Sequence, residues 1–394
     1  MTTMAPVLMK GNEAMAEAAI QAGCDAYFGY PITPQAEVLE WMARRMPEVG
    51  RTFIQAESEL GAINMGLGAA ATGARVFVSS SSPGISLMAE AMSYMAGSEV
   101  PLVLLNVMRG GPGLGSIGAS QSDYWQATRG HGHGDYHVPV LAPSSISEAV
   151  AIVADAFEIA ERYRTPVMIL ADGVLGQQME PVVTEYRNPP RQEFDWALSG
   201  AKGRPPRVVR SLHLQPYELE DHNDHLQKKF ELIAAQETRF ATEDLDDADV
   251  LIVAYGTAAR VARSACERAR EQGVKAGIFR PITLWPFPSA ALREAAAHVR
   301  AIVVVELSAG QMIDDVRLAV GEGTPIYFHG RTGGMVPTPT EVAQTLLGAA
   351  ADTEPDYWVP DDAGIPTLQT PRTTPHSAPS DPDEILLRPV ELFE

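Results

Sequence analysis

Short apolar runs alternate with amphipathic segments along most of the chain, and most amphipathic segments end at a Gly or Pro. This alternation predicts strands separated by helices. Because the predicted strands are almost continuously apolar, they are typical of a parallel sheet that helices cover on both faces. In the first half, strands are predicted at residues 26–29, 51–56, 75–80, 101–108, 138–142 and 166–171, and helix N-caps are expected at Asn12 and Ser147.

The pattern breaks after about Asn188 into Pro-rich, mixed-charge sequence and resumes near residue 250, with strands predicted at 250–255, 274–279, 301–306 and 325–328. The chain is therefore predicted to have an α/β fold with two doubly wound domains. We expect the first domain at residues 1–187, a linker and connecting segment at 188–245, the second domain at 246–350 and a Pro-rich acidic C-terminal tail at 351–394.

Composition narrows the classes of function. Asp and Glu outnumber Lys and Arg by 50 to 30, and the resulting net charge of −20 disfavours nucleic acid and anionic lipid as partners. No apolar run is long enough to cross a bilayer and no signal-peptide pattern opens the chain, so we expect a cytoplasmic protein with no membrane partner. Cys24 and Cys266 are too few to hold an iron-sulfur cluster. Any such cluster must therefore belong to another chain.

Two segments that follow predicted strands could bind a ligand. In the turn Tyr30–Pro34, two prolines fix the backbone around Thr33, whose hydroxyl could hold a carboxylate; the alternative is a stiff connector. The segment Gln55–Gly61 opens a helix rich in Gly and Ala. Glu59 could point inward from its first turn, although two ordinary solvated glutamates are the simpler interpretation.

Three further segments carry candidate chemistry. Arg109 ends a predicted strand before a Gly-rich loop, where its guanidinium suits a carboxylate; the dinucleotide-type match within that loop is weak because no helix follows it directly. The serine run that includes Ser82 precedes a helix and could bind an anion through backbone N–H groups. In the run 131–137, which includes His133, hydrogen bonding or proton transfer is favoured over a metal site.

Together these segments resemble the α subunit of 2-oxoacid:ferredoxin oxidoreductases, most closely the branched-chain (2-oxoisovalerate) type. The matching pieces follow the family's order over roughly residues 8–347: Gly29–Pro34, Gln55–Glu59, Ser82–Met88, Met108–Gly115, Gly132–Tyr136, Phe279–Phe287, Val305–Leu307, Gly310–Met312 and Gly330–Gly334. A transketolase is disfavoured, since it usually carries the diphosphate-binding half in the same chain.

The resemblance implies a thiamine-diphosphate enzyme. This chain would supply the pyrimidine-binding domain, followed by a transketolase-C-like domain, while a separate β subunit would hold the diphosphate, its Mg²⁺ and an iron-sulfur cluster. We also expect γ and ferredoxin-like subunits. The implied reaction is oxidative decarboxylation of a 2-oxoacid to acyl-CoA and CO₂, with coenzyme A as acyl acceptor and ferredoxin as electron acceptor. Because the cofactor would lie between subunits, the isolated chain is expected to be inactive.

The resemblance also assigns roles to residues. Glu59 matches the catalytic glutamate that hydrogen-bonds the pyrimidine ring of the cofactor. Thr33 and Arg109 match residues that bind the substrate carboxylate, with His133 a candidate proton carrier beside them. Three other residues are expected to contact the cofactor, namely Tyr30, Pro31 and Ser82. No metal ligand is assigned to this chain.

Two alternatives remain open at this stage. One keeps the fold but changes the chemistry: an aryl-glyoxylate or 2-oxoglutarate oxidoreductase that delivers electrons to NAD through a further subunit. The other is a non-catalytic scaffold subunit of the same fold. The sequence leaves undecided which 2-oxoacid is used, the final acceptor, the subunit stoichiometry and the role of residues 187–245 and of the tail.

Overall fold

The computed structural model describes residues 6–130, 132–183, 189 and 192–352. All of them belong to one compact unit, Met1–Pro355. The predicted acidic tail lies, from residue 353 onward, outside the described residues. No helix in the described ranges combines the length and the apolar character needed to cross a membrane.

Strands and helices alternate through the described residues. Their order is β1 (Val7–Lys10), α1 (Gly11–Gln21), β2 (Ala26–Gly29), α2 (Ala36–Glu48), β3 (Thr52–Gln55), α3 (Glu59–Ala71), β4 (Val76–Ser80), α4 (Pro83–Ser98), β5 (Leu102–Met108), α5 (Tyr124–Thr128), β6 (Val140–Leu141), α6 (Ile146–Tyr163), β7 (Pro166–Asp172), α7 (Gly173–Gln177), β8 (Met179–Val182), α8 (Pro216–Glu237), β9 (Phe240–Glu243), β10 (Val250–Val253), α9 (Gly256–Glu271), β11 (Ala276–Pro281), β12 (Thr283–Trp285), α10 (Ser289–Ala296), β13 (Ala301–Glu306), α11 (Met312–Val320), β14 (Ile326–Gly330) and α12 (Pro339–Ala350).

Two largely parallel sheets form the centre of the molecule. The first has strand order β12-β6-β7-β5-β4-β2-β3 and the second has order β14-β13-β10-β11-β9. Only the edge strands β12 and β9 run antiparallel to their neighbours in these sheets. Most strands are buried along their whole length, as in β5 and β13. The predicted α/β fold with two doubly wound sheets is therefore confirmed.

The two sheets are joined more closely than the sequence indicates. Strand β12 follows β11 of the second sheet in sequence, yet it pairs with β6 of the first sheet, with Thr283 opposite Leu141. A hydrophobic core runs from the first sheet through Phe230 of α8 to Val304 of β13. This shared core explains why residues 6–352 behave as one compact unit.

The stretch 188–245, expected to connect the domains, contains helix α8 and strand β9. Strand β9 pairs with β11 and so belongs to the second sheet. Helix α8 packs through Phe230, which contacts the rings of His137 and Trp285 edge-on. The domain limits inferred from sequence remain a prediction.

Both N-cap predictions are wrong. Helix α1 begins at Gly11, and buried Asn12 instead donates from Nδ2 to the carbonyl of Pro34 at 2.8 Å. Helix α6 is capped by Ser145, whose Oγ accepts from the backbone N–H of Glu148 at 3.1 Å, rather than by Ser147. Ser145 and Ser147 carry the same side chain, so the residue type alone could not decide between them. Only Ser145 lies three residues before an N–H that its hydroxyl can accept, that of Glu148.

Candidate functional site

The carboxyl ends of β2, β3, β4 and β5 lie along one edge of the first sheet, since these strands are parallel. Open parallel sheets bind ligands at this edge. The loops and helix starts that follow these strands carry four of the sequence-predicted residues: Thr33, Glu59, Ser82 and Arg109. The fold therefore places all four on the same side of the molecule.

Glu59 is the first residue of α3 and is buried, with 6% of its surface exposed. Ser58 caps this helix by accepting the N–H of Gly61 at 3.1 Å. A Cβ atom placed on Gly84 would lie 2.6 Å from Glu59 Oε1 and 2.0 Å from Ser80 Oγ. Gly84 thus leaves room for a carboxyl and a hydroxyl that a side chain would displace. Within the described residues, no group donates a hydrogen bond to the Glu59 carboxylate.

Other buried polar atoms at the ends of β4 and β5, along the same edge of the sheet, also lack partners. The Oγ atoms of Ser80 and Ser81 and the Nε of Arg109 are buried and make no hydrogen bond to any described residue. Buried polar groups are almost always hydrogen-bonded, and exceptions need an explanation. A bound polar ligand would supply the missing partners, so this group of atoms fits a binding site.

Ser82 directly precedes α4 and itself adopts an unusual backbone conformation, with φ 24° and ψ −80°. Its Oγ donates to Asp123 Oδ2 at 2.6 Å and accepts the N–H of Arg109 at 3.0 Å. Asn106 donates to the same Asp123 oxygen at 2.9 Å. Burial raises the pKa of Asp123, and the hydrogen bonds from Ser82 and Asn106 oppose that rise. This network fixes the turn between β4 and α4 to the end of β5.

Arg109 joins the turn after β2 to the Gly-rich loop. Its Nη1 donates to the carbonyl of Thr33 at 3.0 Å, and its Nη2 donates to the carbonyl of Leu114 at 2.9 Å. The structure therefore brings Thr33 and Arg109 together through the Thr33 backbone. The Thr33 side chain is exposed, as is Pro31, while Tyr30 is half-buried.

The Gly-rich loop is fastened to the second half of the molecule. Ser116 donates from Oγ to the carbonyl of Gly333 at 3.0 Å. A Cβ atom on Gly118 would lie 2.8 Å from the Cα of Gly334, so the two backbones touch. Gly113 adopts a φ of 68°, and the next helix, α5, starts only at Tyr124. The dinucleotide-type geometry, in which glycines enter a helix, is accordingly not formed.

His133 is not brought against the other candidate residues. It is exposed, and the preceding Gly132 packs against Ala89 and Ser93 in the middle of α4. Ala89 lies five residues beyond Gly84, which is about 7 Å along a helix axis. His131 lies outside the described residues.

Sequence reasoning missed the residues that hold the second half against the site. Gln121 donates from Nε2 to the carbonyl of Tyr255 at 2.9 Å and accepts the N–H of Leu307 at Oε1 at 3.0 Å. Thr257 donates from Oγ1 to buried Asp172 at 2.7 Å. These contacts join residues far apart in sequence, so only a three-dimensional structure could reveal them.

A second buried glutamate in the other half is fully partnered. Glu306 at the end of β13 accepts the backbone N–H groups of Gln311, Met312 and Ile313 at 3.0–3.2 Å. It also accepts the hydroxyl of Ser308 at 2.8 Å. Burial raises the pKa of Glu306, and these donors oppose the rise. Its carboxylate caps the N-terminus of α11 and leaves no lone pair free for a ligand.

Comparison with known proteins identifies related folds and sequences. A family model described as pyruvate flavodoxin/ferredoxin oxidoreductase, thiamine diphosphate-binding, matches residues 17–229. A second, described as pyruvate:ferredoxin oxidoreductase core domain II, matches residues 248–342. Ketoisovalerate oxidoreductase subunit VorB of Methanothermobacter thermautotrophicus is 47% identical over 89% of this chain and 99% of that protein. 2-Oxoglutarate synthase subunit KorA of the same organism is 35% identical over 86% of this chain and 97% of that protein.

Solved structures agree with this relationship. The 2-oxoglutarate:ferredoxin oxidoreductase from Magnetococcus marinus, with 2-oxoglutarate, coenzyme A and succinyl-CoA bound, has a TM-score of 0.79 at 26% identity and covers 88% of this chain and 65% of that chain. A split-gene transketolase matches 87% of this chain and 98% of its own chain with a TM-score of 0.56. At 16% identity, this likeness shows a shared fold alone. One family model spans more than half of the chain and one relative matches nearly all of it. The predicted resemblance is confirmed, and the chain belongs to the 2-oxoacid:ferredoxin oxidoreductase family.

Proposed function

We propose that this chain is the α-type subunit of a heteromeric enzyme that converts a 2-oxoacid and coenzyme A into acyl-CoA and CO₂. Electrons would pass to iron-sulfur clusters on partner chains and then to ferredoxin. The observation that carries the proposal is Glu59, a buried residue whose carboxyl receives no hydrogen bond from the described residues and lies beside the unpartnered hydroxyl of Ser80.

The site suits part of a thiamine diphosphate molecule. When bound, this cofactor supplies the carbon nucleophile that attacks the 2-oxo carbon of the substrate. Glu59 would accept or share a proton at the pyrimidine ring, and Gly84 leaves the room that its carboxyl occupies. Ser82, Tyr30 and Pro31 would complete the cofactor contacts from the two adjoining turns.

Arg109 is suited to bind a substrate carboxylate. Two of its nitrogens donate to the carbonyls of Thr33 and Leu114, which fixes the plane of the guanidinium. Its buried Nε–H has no partner among the described residues. A preorganised cation of this kind binds an anion at small entropic cost, because the protein has already fixed its orientation. The exposed Thr33 hydroxyl and His133 are further candidates for substrate contact.

An aliphatic 2-oxoacid, such as 2-oxoisovalerate, is the substrate we favour. The loop beside Arg109 presents Leu114 and Ile117 with 81% and 67% of their surfaces exposed, and Met335 follows the glycines that hold this loop. Residues 110–118 contain no Lys or Arg that could bind the second carboxylate of 2-oxoglutarate. The 47% identical relative is named a ketoisovalerate oxidoreductase subunit, which supports the same choice.

Partner chains would supply the remaining cofactors. Burial raises the pKa of the thiols of Cys24 and Cys266 to about 12, and both are free, so neither is suited to ligate iron as a thiolate. We therefore assign the clusters, the diphosphate site and its Mg²⁺ to a β subunit, with γ and ferredoxin-like subunits beside it, acting in the cytoplasm.

Purification of the complete complex tests this function. We expect bound thiamine diphosphate and coenzyme-A-dependent reduction of ferredoxin by 2-oxoisovalerate, with a lower kcat/KM for 2-oxoglutarate and for an aryl glyoxylate. If the complex reduces NAD through a further subunit faster than it reduces ferredoxin, NAD takes the place of ferredoxin as the proposed electron acceptor. A complete complex that holds no thiamine diphosphate would instead indicate a non-catalytic scaffold.

A further inference from the structure

Residues 202–217, here called the basic strap, are mostly exposed and connect the two halves of the sequence. The strap contains four cations and no Asp or Glu, although the whole chain carries a net charge of −20. These cations are Lys202, Arg204, Arg207 and Arg210. Arg207 donates to the carbonyls of Phe194 and Ala197, and Arg204 to those of Gly200 and Pro205. No carboxylate of the described residues pairs with any of the four.

The strap also exposes large apolar side chains. Val208, Leu212, Leu214 and Tyr217 have 74%, 68%, 80% and 62% of their surfaces exposed. Residues 205–213 form neither helix nor strand, and no backbone N–H from 207 to 213 has a hydrogen-bond partner among the described residues. Clustered apolar exposure of this kind on an ordered surface is typical of a binding site for another protein.

The strap is nevertheless held in place from beneath. Val209 packs against the hydrophobic core, and the Cβ of Ser211 lies 3.3 Å from the position that a Cβ on Gly97 would take. Arg207 adds its bonds to the carbonyls of the preceding loop. The outward-facing side chains are therefore presented on a fixed backbone, which lowers the entropic cost of binding.

An exposed face of α4 links the strap to the candidate site. Leu87 and Tyr94 are 52% and 36% exposed, and both lie on the same side of α4 as Gly97, on which the strap rests. The first turn of this helix holds Gly84 beside Glu59. The neighbouring helix α3 adds Leu60, which is 45% exposed. Exposed side chains thus run from the candidate site along α4 to the strap, and they include Glu90, which accepts the hydroxyl of Tyr94 at 2.5 Å.

We propose that the basic strap docks the partner chain that completes the site, and that the partner's matching surface carries carboxylates around apolar side chains. This inference rests on the proposed function, because that function places a partner chain at the Glu59 end of the same surface. The combination of apolar side chains with cations that no carboxylate of the described residues neutralises fits an acidic protein surface better than a nucleic acid or a free phosphate, which would leave Leu212 and Leu214 exposed.

Charge reversal tests the electrostatic half of the proposal. The side chains of Lys202 and Arg210 are exposed and make no hydrogen bond to the described residues, so Lys202→Glu/Arg210→Glu should fold normally. In the full-length chain, we expect this double variant to bind the purified partner with a Kd that is raised roughly tenfold at low salt. The rise should be smaller at high salt. Lys275→Glu/Arg300→Glu is the matched control, since both residues are exposed cations of the second half. Its Kd should change by less than about twofold.

Truncation of the apolar side chains tests the other half. Leu212→Ser/Leu214→Ser should speed dissociation of the partner at every salt concentration, because apolar contact is not screened by ions. Leu318→Ser, at a residue of α11 that is 74% exposed, is the control and should leave dissociation unchanged.

Three outcomes would overturn the docking role. In the first, the strap variants bind the partner with unchanged affinity and salt dependence. In the second, they alter only self-association of the isolated chain, which would assign the strap to a second copy. In the third, they weaken only coenzyme A binding, which would assign the strap to a phosphate. A wild-type complex that assembles through the strap but shows no 2-oxoacid turnover would overturn the proposed function and leave the docking role standing.

Discussion

Glu59 and Glu306 occupy comparable places in the two halves of the molecule. Each is a buried carboxyl at the carboxyl edge of a parallel sheet, beside the first turn of a helix, α3 or α11. Glu306 accepts three backbone N–H groups and one hydroxyl. Glu59 accepts no hydrogen bond from the described residues. The two glutamates therefore occupy similar positions in the fold, but only Glu306 is surrounded by hydrogen-bond donors.

The difference separates a structural carboxyl from one that is available to a ligand. Burial of a carboxylate without donors is costly, so the protein must either provide donors or leave the group for a ligand. Asp123 is an intermediate case, with two side-chain donors, Ser82 and Asn106, on one oxygen. These three acids form a graded series from fully partnered to open, and each can be tested.

The largest effect is expected for Glu59→Gln in the assembled complex. In the proposed role the carboxyl would share a proton with the cofactor, which an amide cannot take up or release, so turnover of the 2-oxoacid should fall by about 10²–10⁴-fold. Initial rates of coenzyme-A-dependent ferredoxin reduction measure the change. Glu57→Gln, at an exposed residue two positions earlier, should retain nearly full activity. Near-normal turnover of the Glu59 variant with intact assembly would refute its catalytic role.

Glu306→Ala should act on stability. Removal of the carboxylate leaves the N–H groups of Gln311, Met312 and Ile313 without their acceptor inside the protein. We expect the free energy of unfolding of the isolated chain to fall by about 2–4 kcal/mol. Denaturant titration measures it, with Glu322→Ala at an exposed turn as control. A loss no greater than that of the control would mean that solvent replaces the carboxylate without penalty.

Gly84→Ala should have a smaller effect on stability. Its added Cβ would overlap Ser80 Oγ at 2.0 Å and press on Glu59. Shifting these groups should lower the free energy of unfolding by about 1–3 kcal/mol. Gly68→Ala in α3, where no atom lies within 4 Å of the new Cβ, should instead raise it by about 0.5–1 kcal/mol. Equal responses of the two variants in thermal unfolding would show that the space beside Glu59 is not tightly packed.

The smallest effect concerns Asp123 and pH. Since burial raises the pKa of Asp123 above its ordinary value of 3.8, its contribution to stability is complete below that value and is lost as pH rises through the folded-state pKa. Asp123→Asn should remove this loss. The difference in unfolding free energy between variant and wild type should therefore shift in favour of the variant from pH 4 towards neutrality, by on the order of 1 kcal/mol.

Unfolding at several pH values measures the Asp123 effect. Asp135→Asn, at an exposed residue, is the control and should show a flat difference from wild type. A flat difference for Asp123→Asn as well would mean that its hydrogen bonds from Ser82 and Asn106 fully offset its burial.

Sequence patterns predicted the buried elements best. The strands Ala26–Gly29 and Ala301–Glu306 were predicted to the residue, because polar residues, Gly or Pro bound their apolar runs. Helix α8 was not predicted, since four of its 22 residues are buried and its apolar period is weak. The ribbon of Val7–Lys10 with Met179–Val182 was missed because its strands are mostly exposed.

The candidate site was predictable where it depended on local sequence. Glu59 is buried, so the inward orientation that its place before small residues allowed is found, and the simpler interpretation of a solvated glutamate is wrong for this residue. The partners of Arg109 and Asp123 could not be predicted, because Thr33 and Ser82 lie 76 and 41 residues away from them in sequence. The roles in substrate and cofactor binding, including that of His133, remain predictions.

The pairing of β12 with β6 bears on attempts to divide the protein. A fragment that ends near residue 245 would lack Thr283–Trp285 and would expose the free edge of β6, a strand of only two residues. It would also uncover the ring of His137, which stacks on Trp285 at 4.6 Å. The fragment would therefore lose an edge strand of its own sheet together with the ring that covers His137. The cofactor-binding half is thus an inseparable part of the polypeptide rather than a module that can be moved to another protein by simple truncation.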